Sequence, residues 1–152
     1  MQPAAPMGRP IVFDIDGTLA DIEHRRHYVA SKPKNWKAFN AGMARDGVNW
    51  EIRFLLKTFW DLGHTIILCS GRESAMRDVT EEWLFQNEIP FTKLLMRKHG
   101  DFRADNFVKV ELLAQIREEF GEPYLWFDDR NQVVDAIRAE GIRVLQVAPG
   151  DF

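Results

Sequence analysis

The strongest chemical signal in the sequence is a pair of aspartates separated by one residue. Asp14 and Asp16 stand in the string DIDGTL, directly after the apolar run 11–13. A buried strand that ends on a carboxylate and continues into a tight Gly-Thr turn would aim both acids at one point. These are the residue types of a nucleophile and its acid/base partner. The alternative is a calcium loop, but its last position requires a glutamate, and Arg25 stands there.

A second acidic pair, Asp128 and Asp129, follows the apolar run 124–127. A carboxylate that attacks an anionic phosphate is repelled by it, so this chemistry requires a cation. Magnesium prefers oxygen ligands and often binds carboxylates together with phosphate oxygens and water. We therefore expect a magnesium ion where the two acidic pairs meet.

A third polar group, Ser70, Gly71 and Arg72, follows the run TIILC. A hydroxyl, a free backbone turn and the start of a helix together form a receptor for phosphate oxygens. The alternative is that Ser70 merely caps the following helix. Cys69 is expected in the core and not as a nucleophile.

Lys109 stands in the first turn of a predicted helix, where the helix dipole disfavours a cation. A cation in this position suggests a negative partner in front of it. Asp105, four residues earlier, could be that partner, the N-cap of the helix, or both. An ordinary solvated pair on the helix surface is the alternative.

The elements that position these residues follow from hydrophobic spacing. Short apolar runs predict strands at 11–13, 65–68, 93–96, 124–127 and 143–147, and three- and four-residue spacing predicts helices near 48–62, 73–88, 106–120 and 130–140. This alternation predicts an α/β, Rossmann-like three-layer sandwich with a central five-stranded parallel sheet. Ligands bind at the carboxyl ends of such strands, where the polar residues collect. We expect a flexible tail at 1–9 and one domain at 10–152, with a small helical insertion at about 20–48.

Composition limits the function classes. The net charge of −3 offers no global attraction for nucleic acid, although bases cluster locally in HRRH at 24–27. Trp36 and Phe39 lie near that cluster and could stack on a nucleobase or simply fill the core of the insertion. A single cysteine excludes an internal disulfide and fits a reducing, cytoplasmic location. No apolar run approaches the ~20 residues that span a bilayer, so no membrane association is expected.

In combination, DIDGT, a strand ending in Ser70, then Lys109, then Asp128–Asp129 resembles the four motifs of the haloacid dehalogenase superfamily of phosphotransferases. More narrowly, the sequence is similar to the 3′-phosphatase domain of bacteriophage polynucleotide kinase. That likeness spans residues 10–152 and is carried by SGRES at 70–74, MRKHGDFRADNFVK at 96–109, DDRNQVV at 128–134 and the terminal QVAPGDF.

The resemblance implies a role for each matching residue. Asp14 would be the nucleophile that becomes an aspartyl-phosphate, and Asp16 would protonate the leaving oxygen and then activate water. Asp105 would orient Lys109. The phosphoryl group would be bound by Ser70, Gly71, Arg72 and Lys109, and by one arginine of the insertion, for which Arg25 and Arg26 both qualify. Magnesium would be held by Asp14, Asp128 and the backbone carbonyl of Asp16, with Asp129 supporting the site.

The expected activity is thus magnesium-dependent hydrolysis of a phosphate monoester, at nucleic-acid 3′ ends or on nucleoside 3′-phosphates. No G-x-x-x-x-G-K-[ST] string is present, so a kinase activity is not implied, although a separate kinase or ligase could be a partner. A 5′-nucleotidase or general small-molecule phosphatase is one alternative, and a non-catalytic module that binds phosphate ends is another. The choice between DNA and RNA and the oligomeric state stay open.

Overall fold

The apolar run that precedes Asp14 forms the central strand of a parallel sheet. The computed structural model describes residues 8–152, so most of the tail expected at 1–9 lies outside the described residues. The strands are β1 (Ile11–Phe13), β2 (Ala20–Asp21), β3 (Gly47–Val48), β4 (Ile66–Glu73), β5 (Lys93–Arg97), β6 (Leu125–Asp128) and β7 (Val144–Gln146). The main sheet has five strands in the order β5-β4-β1-β6-β7, all parallel, which confirms the predicted α/β architecture.

Helices cover this sheet and form the insertion. They are α1 (Glu23–Ala30), α2 (Trp36–Ala41), α3 (Trp50–Asp61), α4 (Arg77–Gln86), α5 (Asp105–Phe120) and α6 (Asn131–Ala139). Helix α4 begins later than its predicted start at residue 73. Strand β4 continues to Glu73, which pairs with Arg97 of β5, and a 3₁₀ turn at Ser74–Met76 comes before the helix. Pairing with a neighbouring strand, which periodicity cannot detect, thus delays the helix.

Two cores lie on the two faces of the sheet. Ile11 and Phe13 of β1 belong to one core and Val12 to the other, because successive side chains of a strand point to opposite faces. The first core includes Leu56 of α3 and Leu84 of α4. The second takes its helical residues from α5 and α6, including Leu113, Ile116, Val134 and Ile137. Three layers result, and Cys69 is buried in the second core, as predicted.

The insertion leaves the sheet after β1 and returns before α3. Strands β2 and β3 pair antiparallel, which brings the two ends of the insertion together. Phe39 of α2 is buried against the first core, while Trp36 is 49% exposed. The two aromatic residues therefore divide between the alternatives that the sequence left open: Phe39 fills the core and Trp36 lies on the surface.

Within residues 8–152, no helix combines the length and the apolar character that crossing a membrane requires.

Candidate active site

Neighbouring strands bring Asp14, Asp128 and Asp129 together. Residues Phe13 of β1 and Phe127 of β6 are paired in register, so the aspartates that follow them lie side by side. The backbone N–H of Asp14 donates to the Phe127 carbonyl at 2.9 Å. All three aspartates are buried, and each contributes a carboxylate oxygen to a group whose members lie within 4.8 Å of one another. We call these three residues the acidic cluster.

Lys109 enters the acidic cluster from α5. Its Nζ donates to Asp14 Oδ1 and to Asp128 Oδ2, both at 2.8 Å. Asp105 Oδ2 lies 3.9 Å from the same Nζ, an ion-pair distance and not a hydrogen bond. Ala104 is the N-cap of α5, so the capping alternative for Asp105 is wrong, as is the solvated-pair alternative, since Lys109 is buried.

Asp105 lies against Gly71 in the second half of β4. A Cβ built on Gly71 would overlap the Asp105 carboxylate, so only glycine permits this close approach. Arg97 secures the same corner, because its Nε donates to the Gly71 carbonyl at 2.9 Å and its Nη2 lies 3.4 Å from Asp105 Oδ1. The position of Asp105 relative to Lys109 therefore depends on β4 and β5 as well as on α5.

The side chain of Asp16 lies apart from the acidic cluster, against two arginines. Arg25 Nη2 donates to Asp16 Oδ1 at 2.7 Å, and Arg72 Nη2 donates to the same oxygen at 2.6 Å. The carboxylate of Asp16 is thus not grouped with those of the acidic cluster. The two aspartates of one turn have different surroundings, three charged neighbours for Asp14 and a pair of guanidiniums for Asp16.

Arg25 and Arg26 are also separated by the fold. Arg25 is fully buried and reaches Asp16, whereas Arg26 lies 3.1 Å from Glu23 and stacks over the Phe152 ring at 4.7 Å. Of the two arginines that the sequence could not distinguish, Arg25 therefore belongs to the candidate site.

Sequence reasoning missed Asp46, which lies just before β3. Its carboxylate accepts from Arg25 Nε at 2.7 Å and from Arg25 Nη2 at 2.6 Å. It also accepts from Arg72 Nη2 at 3.2 Å and pairs with His24 at 2.7 Å. The side chain of Asp46 is completely buried. No strand of the main sheet ends near Asp46, so the rule that located the other acids gave no signal for it.

Ser70 and Gly71 lie within the second half of β4, so the prediction that they follow the strand in a free turn is wrong. The Oγ of Ser70 accepts from the backbone N–H of Arg72 at 3.1 Å, within the strand. Because α4 begins at Arg77 with Met76 as its N-cap, Ser70 does not cap a helix, and the expected helix N-terminus beside it is also wrong. The Ser70 side chain is buried. It lies two residues beyond Leu68, which pairs with Phe13, the residue before Asp14.

Burial and charge shift the pKa values in the site in opposite directions. Burial, together with the charge of Asp128, raises the pKa of Asp14 well above its usual value, although Lys109 opposes this. Burial and Asp128 also raise the pKa of Asp129 to about 6. Burial opposes the ionised form of Asp16 as well, but Arg72 and Arg25 outweigh it and lower the pKa. For Lys109, the charges of Asp128 and Asp14 outweigh burial and raise the pKa well above normal.

The acidic cluster fits a divalent cation. It holds three carboxylates against one ammonium, and burial together with repulsion between the carboxylates raises the pKa values of Asp14 and Asp129. Asp129 Oδ2 is buried and has no hydrogen-bond partner among the described residues. A cation with oxygen ligands would satisfy that atom and relieve the repulsion. Asp14, Asp128 and Asp129 are the residues that would hold it.

Comparison with known proteins decides the family. A family model described as the polynucleotide kinase PNKP phosphatase domain matches residues 8–152. The chain belongs to this family. It is a phosphatase domain of the PNKP type within the haloacid dehalogenase superfamily.

Two solved structures of a Pnkp1/Rnl/Hen1 complex, one titled as an RNA repair complex, contain chains similar to this PNKP-type domain. Both are 35% identical and cover 100% of this chain, with TM-scores of 0.81 and 0.79. This chain spans only 46% and 50% of their lengths. A class C acid phosphatase from Bacillus anthracis shares the fold, with a TM-score of 0.65, 22% identity and coverage of 94% of this chain and 67% of that one.

Proposed function

We propose that this chain is a magnesium-dependent 3′-phosphatase of nucleic-acid ends that acts through a phosphorylated Asp14 and has no kinase activity of its own. The observation that carries the proposal is the division of labour between the two aspartates of one turn. Asp14 lies in the acidic cluster beside Lys109, and Asp16 is held by Arg25 and Arg72. A nucleophile and an acid/base partner need separate surroundings of this kind.

In the first step, a carboxylate oxygen of Asp14 attacks phosphorus and the bond from phosphorus to the leaving O3′ breaks. Asp16 gives its proton to that oxygen, so the strand leaves with a 3′-hydroxyl. In the second step, Asp16 takes a proton from water, and the water oxygen attacks the phosphorus on Asp14. The bond between phosphorus and Asp14 breaks, which releases inorganic phosphate and restores the Asp14 carboxylate and the protonated Asp16.

Charge in the site must change when substrate enters. A bound magnesium ion would offset the negative charge of the acidic cluster and of the phosphoryl group. Arg25 and Arg72 lower the pKa of Asp16 in the substrate-free protein. A phosphate dianion competes with Asp16 for these two guanidiniums, and weaker contacts with them allow the Asp16 pKa to rise toward that of a general acid.

The remaining residues bind the transferring group. Lys109 Nζ lies between Asp14 and Asp128, within reach of phosphoryl oxygens attached to Asp14. Ser70 offers a buried hydroxyl from within β4, and Gly71, against which the Asp105 carboxylate packs, contributes backbone alone. Preorganised donors of this kind stabilise charge that develops in the transition state.

A nucleic-acid substrate is supported by the family and by the relatives. The 35% identical chains come from structures of Pnkp1/Rnl/Hen1, one of them titled as an RNA repair complex, and they are about twice as long as this chain. We include in the proposal a separate kinase or ligase partner and a cytoplasmic location. We also propose that residues 10–152 form one phosphatase domain and that residues of about 20–48 are an insertion within it.

The test is a substrate panel with magnesium, comparing 3′- and 5′-phosphorylated forms of one oligonucleotide, the matching mononucleotides and p-nitrophenyl phosphate. We expect the 3′ form to be preferred over the 5′ form by at least about tenfold, or roughly 1.4 kcal/mol. Asp14→Asn protein from the same purification controls for contaminating phosphatases. Equal rates on the two isomers would transfer the assignment to a general nucleotidase.

A further inference from the structure

The Phe152 ring contacts two arginines that come from different elements near the candidate site. The Phe152 ring lies 4.7 Å from the guanidinium carbon of Arg26 and 5.3 Å from that of Arg130. Arg26 belongs to α1, next to Arg25, which binds Asp16. Arg130 directly follows Asp129 and lies 4.0 Å from Asp105. We call Arg26, Phe152 and Arg130 the rim cluster.

The backbone attaches the rim cluster firmly to the acidic cluster. Arg130 Nε donates to the Phe152 carbonyl at 2.7 Å, and the N–H of Asn131 donates to the Gly150 carbonyl at 2.9 Å. A Cβ on Gly150 would overlap the Asp129 carbonyl, so the segment before Phe152 lies directly on the backbone of the acidic cluster. The rim cluster therefore has a defined position relative to the acidic cluster.

The charge of the rim cluster is incompletely balanced. Two guanidiniums share one aromatic ring, an arrangement that brings like charges together. Nε of Arg26 is buried and forms no hydrogen bond with the described residues, although Glu23 Oε1 lies 3.1 Å from it. Glu23 itself has a side chain that is 72% exposed, so solvent screens this pair. An anion between the two arginines would complete the set of contacts.

We propose that Arg26 and Arg130, held by the Phe152 ring, bind the phosphodiester that precedes the 3′-terminal phosphate of a strand. The inference rests on the proposed function and adds a subsite to it. A planar guanidinium with its N–H groups at the edge matches two phosphate oxygens. Because Arg130 Nε already donates to the Phe152 carbonyl, its Nη groups would make this contact. The subsite gives the enzyme a reason to prefer a strand over a nucleoside 3′-phosphate.

The decisive experiment compares a dinucleotide that carries a 3′-phosphate with the same compound whose internal phosphodiester is a neutral methylphosphonate. We expect wild-type kcat/KM to fall about tenfold with the methylphosphonate, the factor for loss of a hydrogen bond to a charged group. The Arg26→Ala substitution should lower kcat/KM for the charged dinucleotide by a similar factor. It should lower kcat/KM for the methylphosphonate, relative to wild type on the same compound, by little. Such non-additivity shows that the side chain and the phosphodiester act on each other.

Arg143→Ala is the matched control, because Arg143 is exposed and precedes β7 at the opposite end of the sheet. That variant should retain the full wild-type response to the methylphosphonate. With longer oligonucleotides, Arg26→Ala should also reduce the salt slope of binding by about 0.7, the value for one contact with a single strand.

The possible failures are distinguishable. If wild-type protein removes no 3′-phosphate from either dinucleotide, the proposed function is wrong. If it removes the 3′-phosphate from both dinucleotides at equal rates, the function stands and the subsite is wrong. This outcome is measured on wild-type protein and does not depend on whether a variant folds. If the methylphosphonate costs the same factor in Arg26→Ala as in wild type, another residue binds the phosphodiester.

Discussion

Asp16 and Asp46 are joined by the same two arginines. Arg25 donates to both carboxylates through Nη2, at 2.7 Å to Asp16 and 2.6 Å to Asp46. Arg72 also donates to both through Nη2, at 2.6 Å and 3.2 Å. The side chain of Asp46 is fully buried, whereas that of Asp16 is 23% exposed. Asp46 therefore fixes the two guanidiniums from the interior, and Asp16 contacts them from the solvent side. The insertion thus supplies both an arginine and the acid that holds the arginines in place.

Asp46→Asn should therefore impair catalysis without touching the metal site. The amide keeps the shape but weakens the contacts to Arg25 and Arg72, and misplacement of catalytic contacts by about 1 Å can cost ~100-fold in rate. We expect kcat/KM on p-nitrophenyl phosphate to fall by 10- to 100-fold on that scale. The magnesium concentration for half-maximal activity should change little. Asp135→Asn, at an exposed position of α6, is the control. A large shift in magnesium dependence would show that Asp46 acts on the metal.

Asp14→Asn should fold and have no turnover. The asparagine carbonyl can still accept from Lys109 or Thr18, which now contact the two carboxylate oxygens. An amide oxygen is too weak a nucleophile to attack phosphorus. Circular dichroism and a thermal melt check folding, and phosphate release checks turnover. Clear residual activity in a preparation free of other phosphatases would exclude a phosphorylated Asp14.

Substitutions of Lys109 and Asp105 should have coupled effects on the rate, and the effect at Lys109 should be the larger. Lys109→Ala removes an ammonium that touches both Asp14 and Asp128 and should cost ~2–4 kcal/mol of transition-state stabilisation. Asp105→Ala should cost less, because its carboxylate is 3.9 Å from Nζ. Rates for both single variants and the double variant give the interaction energy. Fully additive losses would show that Asp105 does not position the lysine.

Magnesium should stabilise the protein, and the effect should depend on Asp129. Burial and Asp128 raise the pKa of Asp129 to about 6, above the value of 3.8 for a free aspartate. The folded state without metal then binds this proton more tightly than the unfolded state, so stability falls as pH rises from about 4 to 6. Thermal melts at several pH values, with EDTA or with magnesium, measure this slope.

Asp129→Asn is the variant for that series, since it removes one charge and leaves the neighbouring carboxylates in place. It should flatten the slope between pH 4 and 6 in EDTA, raise the melting temperature at neutral pH and reduce the gain from magnesium. A wild-type melting temperature that magnesium does not change at neutral pH would contradict a cation site in the acidic cluster.

Sequence reasoning predicted the strands and the acids that follow them, but it did not predict the length of β4 or which arginine of α1 faces the site. Hydrophobic runs placed Asp14 and Asp128 at strand ends, and parallel pairing was enough to bring those ends to one edge. The start of α4 was wrong because β5 pairs with Glu73, a contact between segments far apart in the chain.

The sequence by itself determined the sheet, its chemically active edge and the spacing of the acids on it. These depend on local periodicity and on the rule that parallel strands end on the same side. Only the tertiary structure decided that Arg25 and not Arg26 reaches Asp16, and that Asp46 secures it. Adjacent residues of a helix point about 100° apart, so the docking of α1 on the sheet, and not its composition, selects the one that faces the site.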